Sequence, residues 1–359
     1  MKILNRYLTK GFFRGLVLVV PGLVGIYLVV DLFEKMDEFI EQGVPAVDTV
    51  IYFIMRTPQI IFDLFPVCIL LAGIIFFAIL MKNREFLAME AVGIDPRRII
   101  RPIASLSLFL AILMVLFHGS VVGQANMHAK SLWDQKIEGI PSYGLSSGTM
   151  FFRGKHTIWS FRTLQAGGGV LSDVDLIVFK KDFECSQIIK AEKAIFSKDG
   201  WSFIHGTQIL CEDSPSTEIR PFDTITLSLK DNPGAFSRLF IPPREMGLYQ
   251  LGSTILEYKD LGIHDREIEA TFWNRLFYPF FGVALLVLGL SVLVKFQRGG
   301  IGWGIVLGLV IAFGGWAAWN LFCSWGEAGR TSPIIPPLIL VAITFFVPSY
   351  LMSRWRLFQ

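Results

Sequence analysis

The chain is 359 residues long, 53% hydrophobic and only 18% charged, with a mean hydropathy of +0.53. That much apolar surface exceeds what a soluble domain of this size buries, so the composition marks an integral membrane protein. The net charge of +3 is too small to point to nucleic acid, and the four cysteines (Cys68, Cys185, Cys211, Cys323) have no CxxC or CxxH spacing, so no metal site is offered.

The N-terminal stretch carries Lys2, Arg6, Lys10 and Arg14 with no acid, which places it in the cytoplasm. The apolar run Gly15 to Val30, extended by Phe12-Phe13 and Leu32-Phe33, is long enough to span. It lacks an A-x-A site and a second span follows, so a cleavable signal peptide is not expected. Glu34, Asp37, Glu38, Glu41 and Asp48 then read as an external loop. The second run, Val50 to Met81, carries Arg56, Pro58, Gln59, Asp63 and Pro66 in its first half. Arg56 and Asp63 are seven apart and share a helix face. They face either a wet interior or the outer interface.

Residues of about 82–93 form a short polar insert between apolar runs. Glu85 to Val92 are good helix formers, with Phe86, Met89 and Val92 at three-residue spacing. Gly93 reads as a C-cap, and Asp95-Pro96 as an N-cap followed by a first-turn proline. Arg97, Arg98 and Arg101 mark the cytoplasmic side. The residues alone allow an interfacial anchor or a docking helix for a cytoplasmic partner. Ile103 to Val122 is the third span, and its lone His118 reads as a packing residue.

From Gly123 to about Ala270 no run could span a membrane. After a helical start, Thr149 to Arg162, Val174 to Phe179, Ile188 to Phe196, Trp201 to Leu210 and Thr224 to Leu229 read as strands of a small sandwich or jelly roll. Lys198-Asp199-Gly200 reads as a hairpin turn. Gly144-Leu145-Ser146-Ser147-Gly148 matches G-x-S-x-G, but it lies in a polar loop without a strand-to-helix elbow, so it is taken as coincidence. Cys185 and Cys211 pair or remain two free thiols; sequence leaves both open. Met246 to Glu269 is an amphipathic connector back to the membrane.

Phe272 to Val294, Ile301 to Leu321 and Leu338 to Met352 are spans four to six. Gly300, Gly304 and Gly308 form a small-residue ridge on span five that lets another helix approach closely. The expected architecture is a membrane α-helical protein with six transmembrane helices in a 3+3 arrangement. Residues 1–122 hold spans one to three, 271–359 spans four to six, and 123–270 an inserted all-β, jelly-roll-like periplasmic domain. Both termini are cytoplasmic.

No P-loop, H-E-x-x-H or intramembrane carboxylate pair occurs, so the chain is not expected to be an enzyme or to bind a cofactor itself. The stretch Arg84-Glu85-Phe86-Leu87-Ala88-Met89-Glu90-Ala91-Val92-Gly93-Ile94 resembles the coupling-helix region of the lipopolysaccharide export permeases of the LptF/LptG (YjgP/YjgQ) family. Arg6-Tyr7-Leu8, Val30-Asp31-Leu32-Phe33-Glu34, Pro58…Phe65-Pro66, Asn274-Arg275…Pro279 and Ile335-Pro336-Pro337 look similar too, and the resemblance leans to the LptG branch. It implies a permease subunit of an ABC transporter in the bacterial inner membrane. Such a subunit pairs with a paralogous, LptF-like permease above an LptB ATPase dimer, which uses the ATP and Mg. It passes lipopolysaccharide to the jelly-roll proteins LptC and LptA, towards the outer membrane. It further implies partner docking through Glu85, Phe86, Ala88, Met89 and Gly93, and a gate at span five, where the ridge of Gly300, Gly304 and Gly308 lies. An anionic lipid needs cations near the outer interface, and Lys35, Arg56 and Lys130 are the candidates. A membrane-anchored periplasmic scaffold or sensor, or the permease of another ABC-type lipid exporter, are the alternative readings.

Overall fold

The structure is a computed structural model that describes residues 2–138, 145–154, 156–164, 169–180, 184–197, 200–211, 218–229, 242–260, 262, 264–295 and 301–354. Among these, five helical segments are long and apolar enough to cross a membrane: α1 (Lys2–Glu41), α2 (Ala46–Lys82), the rod of α4 (Pro96–Phe117) and α5 (Gly123–Lys136), α7 (Arg266–Lys295) and α8 (Ile301–Glu327). A sixth helix, α9 (Ile335–Arg354), has a shorter apolar stretch over Ile335–Pro348. Five of the six expected spans thus meet the length for crossing, and the sixth falls on the shorter apolar helix α9.

The first of them is longer than expected. The acidic stretch read as a loop continues α1, because Glu34, Lys35, Asp37, Glu38 and Glu41 are helix-compatible and Lys35 pairs with Asp31 one turn back at 2.7 Å. Phe39 on this extension packs against Tyr52, Phe53 and Trp133.

Between α2 and α4 lies the short helix α3 (Glu85–Ala91). Gly93 ends it in the left-handed region (φ +81°), where only glycine sits without strain. The Gly93 N–H reaches the Glu90 carbonyl and the Ile94 N–H that of Met89, which closes the last turn. Asp95 then caps α4 by accepting from the Arg97 N–H at 2.9 Å, with Pro96 at the first position. A π turn, His118–Val122, joins α4 to α5.

The central pair of the bundle is α2 and α7. Glycines let them touch: a Cβ on Gly282 would lie 2.7 Å from the Pro66 Cα, and one on Gly289 2.6 Å from the Leu70 side chain. Helices α1 and α8 flank this pair and leave Leu18, Ile26 and Phe33, and Val310 and Phe313, exposed.

Six strands, β1 (Leu145–Arg153), β2 (Thr157–Leu164), β3 (Val170–Phe179), β4 (Cys185–Ser197), β5 (Gly200–Leu210) and β6 (Glu218–Leu227), form one antiparallel sheet in chain order. The stretch expected as one strand over Thr149 to Arg162 is two, β1 and β2, which pair with each other. Trp159, Phe161, Leu176, Ile189, Trp201 and Phe203 are fully buried on the sheet's inner face. The β4–β5 hairpin pairs Ser197 with Gly200, as the turn signal suggested, although Lys198 and Asp199 lie outside the described residues. Ser146 lies on β1 and not on a strand-to-helix elbow, so G-x-S-x-G carries no nucleophile geometry. Cys185 and Cys211 are disulfide-bonded, while Cys68 and Cys323 are free and buried.

The return leg, α6 (Leu248–Asp260), seats on the π turn and the start of α5. A Cβ on Gly123 would stand 2.5 Å from the Gly247 Cα, and Gly119 lies under the Tyr249 ring. Neither backbone at the 123–247 crossing can turn aside as a side chain would. Gly123→Val is therefore expected to cost about 1–3 kcal/mol, seen as a lower thermal-unfolding midpoint in detergent. Gly25→Val, whose added carbons face open space, is the unchanged control.

Candidate functional site

A cavity of about 760 Å³ opens between α1, α2, α7, α8 and the segment leading into α6. One wall is apolar: Leu23 from α1, Leu64, Val67 and Leu71 from α2, and Leu309, Ala312 and Phe313 from α8. The other end is polar and carries Gln59, Asp63, Asn274, Asn320, Arg244 and Arg275. Tyr27, Tyr278, Trp316 and Trp319 stand between the two, as amphipathic rings do at a polar–apolar boundary. Such a lining suits a long molecule with an apolar body and an anionic head.

The polar end is held by a chain of bonds. Asn126 donates to Gln59 at 3.0 Å, Gln59 to the Asp63 carboxylate at 2.8 Å, and the Tyr278 hydroxyl to the Asp63 carbonyl at 2.9 Å. The Arg275 guanidinium donates to the carbonyls of Arg244 and Met246. Arg275 thus fastens the segment that follows the sheet onto the top of α7. Nearby, His118 is buried against the Phe62 ring at 4.4 Å, and its ring nitrogens have no hydrogen-bond partner among the described residues. Its contact is packing on the Phe62 ring, as expected from the sequence.

None of the three cations singled out from sequence lines this cavity. Lys35 is bonded to Asp31 and lies over the Tyr52 and Trp133 rings at 5.4 and 5.9 Å. Lys130 pairs with Asp134 at 2.9 Å. Arg56 is half-buried, and its Nε has no hydrogen-bond partner among the described residues. Arg56 and Lys130 act, with Arg275, on Glu245 at the roof. The cavity's own cations, Arg244 and Arg275, were missed. Arg275 carried a usable signal, an isolated arginine entering an apolar span. Arg244 carried none.

Helix α3 presents its motif residues in two directions. Phe86 is 1% exposed and packs on Phe77, and Met89 packs against the same core. Ala88 and Gly93 are exposed. Glu85 accepts from the Tyr7 hydroxyl at 2.7 Å and from Asn83 at 3.4 Å. The outward face carries Leu87 and Val92, 50% and 82% exposed, with Ala88 and Ala91 between them. On the glycine ridge, Gly304 and Gly308 pack on Ile74 and Leu71 of α2 within the same chain, while Gly300 lies outside the described residues.

The family model described as lipopolysaccharide export system permease LptF/LptG matches residues 6–354. The chain belongs to the LptF/LptG family. A curated relative, the lipopolysaccharide export system permease protein LptG of Haemophilus influenzae, is 22% identical over 365 residues, covering 98% of this chain and 99% of its own. The LptF/LptG match runs through both helical halves and the sheet, so cavity, short helix and β unit all lie within family sequence.

In this LptF/LptG chain, burial pushes the Glu245 carboxyl above its ordinary range, against the pull of Lys130, Arg56 and Arg275, with Asp134 adding to the push. A raised carboxyl favours the protonated form in the folded state, so stability falls as pH rises from the ordinary carboxylate range through the raised value. Glu245→Gln, neutral at every pH, is expected to remove that decline. Relative to the unaltered protein, its unfolding midpoint should be higher at pH 8 than at pH 5. An equal difference at both pH values would mean that the carboxyl is solvated.

Proposed function

We propose that this chain is a permease subunit that extracts lipopolysaccharide from the inner membrane, driven by soluble ATPases seated beneath α3. The observation that carries the reading is the cavity, with its long apolar wall, aromatic boundary and arginine end. It is bounded by α1 and α8, the two helices with most lateral surface free. Lipid A offers acyl chains to the one and phosphates to the other, and arginine is suited to phosphate. The exposed faces of α1 and α8 suit a paralogous permease of the same layout, which would complete the chamber.

Orientation follows from charge and redox chemistry. Arg97, Arg98 and Arg101 beside α3 favour the cytoplasm. The Cys185–Cys211 bond favours an oxidising compartment for the sheet, hence the periplasm. The β unit then stands above the cavity, reached through the segment that Arg275 holds. Its edge strands β1 and β6 suit strand-by-strand pairing with further jelly-roll proteins such as LptC and LptA towards the outer membrane. On the opposite side, Leu87, Ala88, Val92 and Gly93 form the surface offered to an LptB-type ATPase.

Copurification from native membranes in mild detergent tests the assembly. A soluble P-loop ATPase and a second six-span permease are expected in the complex. Leu87→Asp, which puts a charge on an apolar contact, is expected to reduce ATPase recovery about tenfold or more without reducing membrane insertion. Unchanged recovery would move docking off α3. A photocrosslinker at Phe313 should capture lipopolysaccharide, and one at the outward Leu108 of α4 should not. Arg244→Ala should lower the Phe313 yield about five- to tenfold. Equal capture at both sites would leave only nonspecific lipid contact and sink the cavity reading.

A further inference from the structure

The cytoplasmic end of α1 and the short helix α3 are joined side chain to side chain across 78 residues of sequence. The Tyr7 hydroxyl donates to one Glu85 carboxylate oxygen at 2.7 Å, and Asn83 approaches the other at 3.4 Å. Glu85 is therefore turned towards the bundle, while the outward face of α3 is left to Leu87, Ala88, Ala91 and Val92. A phenol hydroxyl on a carboxylate is a charge-assisted bond, short and directional.

Three further facts give the bond a mechanical setting. Helix α3 is pinned to α2 by Phe86 on Phe77, so a load on its outward face tilts it about that point. Helix α1 packs on α2 at Phe12, beside Gly73, and at Gly11, where a missing Cβ leaves room for the Phe76 ring, with Leu8 fully buried in the same core; at its other end Phe39 packs on Tyr52 and Phe53. Between these two contacts α1 exposes Leu18, Ile26, Val29 and Val30 and lines the cavity with Leu23 and Tyr27. Tyr7 and Tyr27 are twenty residues apart on one helix, about 30 Å at 1.5 Å per residue.

We propose that the Tyr7–Glu85 hydrogen bond is the link that passes movement of α3 into α1 and so to the wall of the cavity. Tyr7 is then a positioning residue for transport, one that touches neither lipid nor nucleotide. The proposal rests on the reading that α3 is where the ATPase docks. A tilt of α3 draws the Glu85 carboxylate along; the carboxylate draws Tyr7; α1 turns on its Leu8, Phe12 and Phe39 contacts; and Leu23 and Tyr27 shift against the lipid. Without the hydroxyl, α3 still holds the ATPase, but its movement is spent on α2 alone.

The test uses the complete complex in proteoliposomes loaded with purified lipopolysaccharide. It reads three quantities: ATPase recovered with the permease, ATP hydrolysed, and lipopolysaccharide released per ATP. For Tyr7→Phe, recovery and hydrolysis should stay at the unaltered level while release per ATP falls about fivefold, the low end of ordinary coupling between sites. Adding Tyr7→Phe to Glu85→Ala should lower release per ATP no further than Glu85→Ala alone, because the link is already gone and the per-ATP ratio discounts any ATPase lost with Glu85. Undiminished release per ATP with Tyr7→Phe overturns the proposal and leaves α3 docking standing. So does loss of ATPase recovery, which would put Tyr7 in the docking surface, or a double variant as weak as the product of the two single effects. If the unaltered permease recovers no ATPase, the docking reading itself falls.

Discussion

Helix α7 lies against α2 so closely that one added carbon at Gly282 would press on the backbone of Pro66. In lipid there is no hydrophobic drive between helices, so association depends on such close fits. Because α2 and α7 spend their small residues on each other, they form a fixed spine. Helix α8 joins through Gly304, Gly308 and Gly315, the last under Leu285 of α7. Helix α1 joins at both ends, through Leu8 and Phe12 below and Phe39 above. The upper space between α1 and α8, in front of the spine, is the cavity.

Arginine 275 belongs to both halves of the molecule. It lines the cavity and also gives one donor from each terminal nitrogen to the carbonyls of Met246 and Arg244, in the segment after the sheet. Those carbonyls sit where no helix or strand supplies partners, so a forked side chain is well matched to them. The same segment bears Gly247, pressed against Gly123. The β unit therefore returns to the membrane through a short stretch fastened at two points, both within a turn or two of the cavity's polar end.

Much of this was legible because local chemistry fixes it. Gly93 and Asp95-Pro96 ended and restarted helices as their backbone preferences require, and apolar runs long enough to span became the spanning helices. The failures have a common physical origin: sequence periodicity shows which residues share a face, not which face meets a neighbour. On α3, Phe86, Met89 and Val92 looked like one apolar side, but Phe86 and Met89 turn inward and Val92 outward, because the helix lies across the foot of α2. Acidic residues after span one looked like a loop, yet ion pairing and the Phe39–Tyr52–Trp133 cluster carry the helix on. Of the sequence candidates, Lys35 is held by Asp31 and Lys130 by Asp134, and neither these nor Arg56 line the cavity. The arginines that do line it come from segments brought together only by the fold.

The bond between Cys185 and Cys211 closes the open end of the β4–β5 hairpin, whose other end is the turn between Ser197 and Gly200. Two central strands joined at both ends form a covalent ring, and strands in a ring cannot slide past each other. A slip of one residue would turn Trp201 and Phe203 from the inner face to the outer, since side chains alternate along a strand. The disulfide thus acts as a proofreader of strand alignment: once the ring is closed, the aromatic core of the sheet can form in one alignment only.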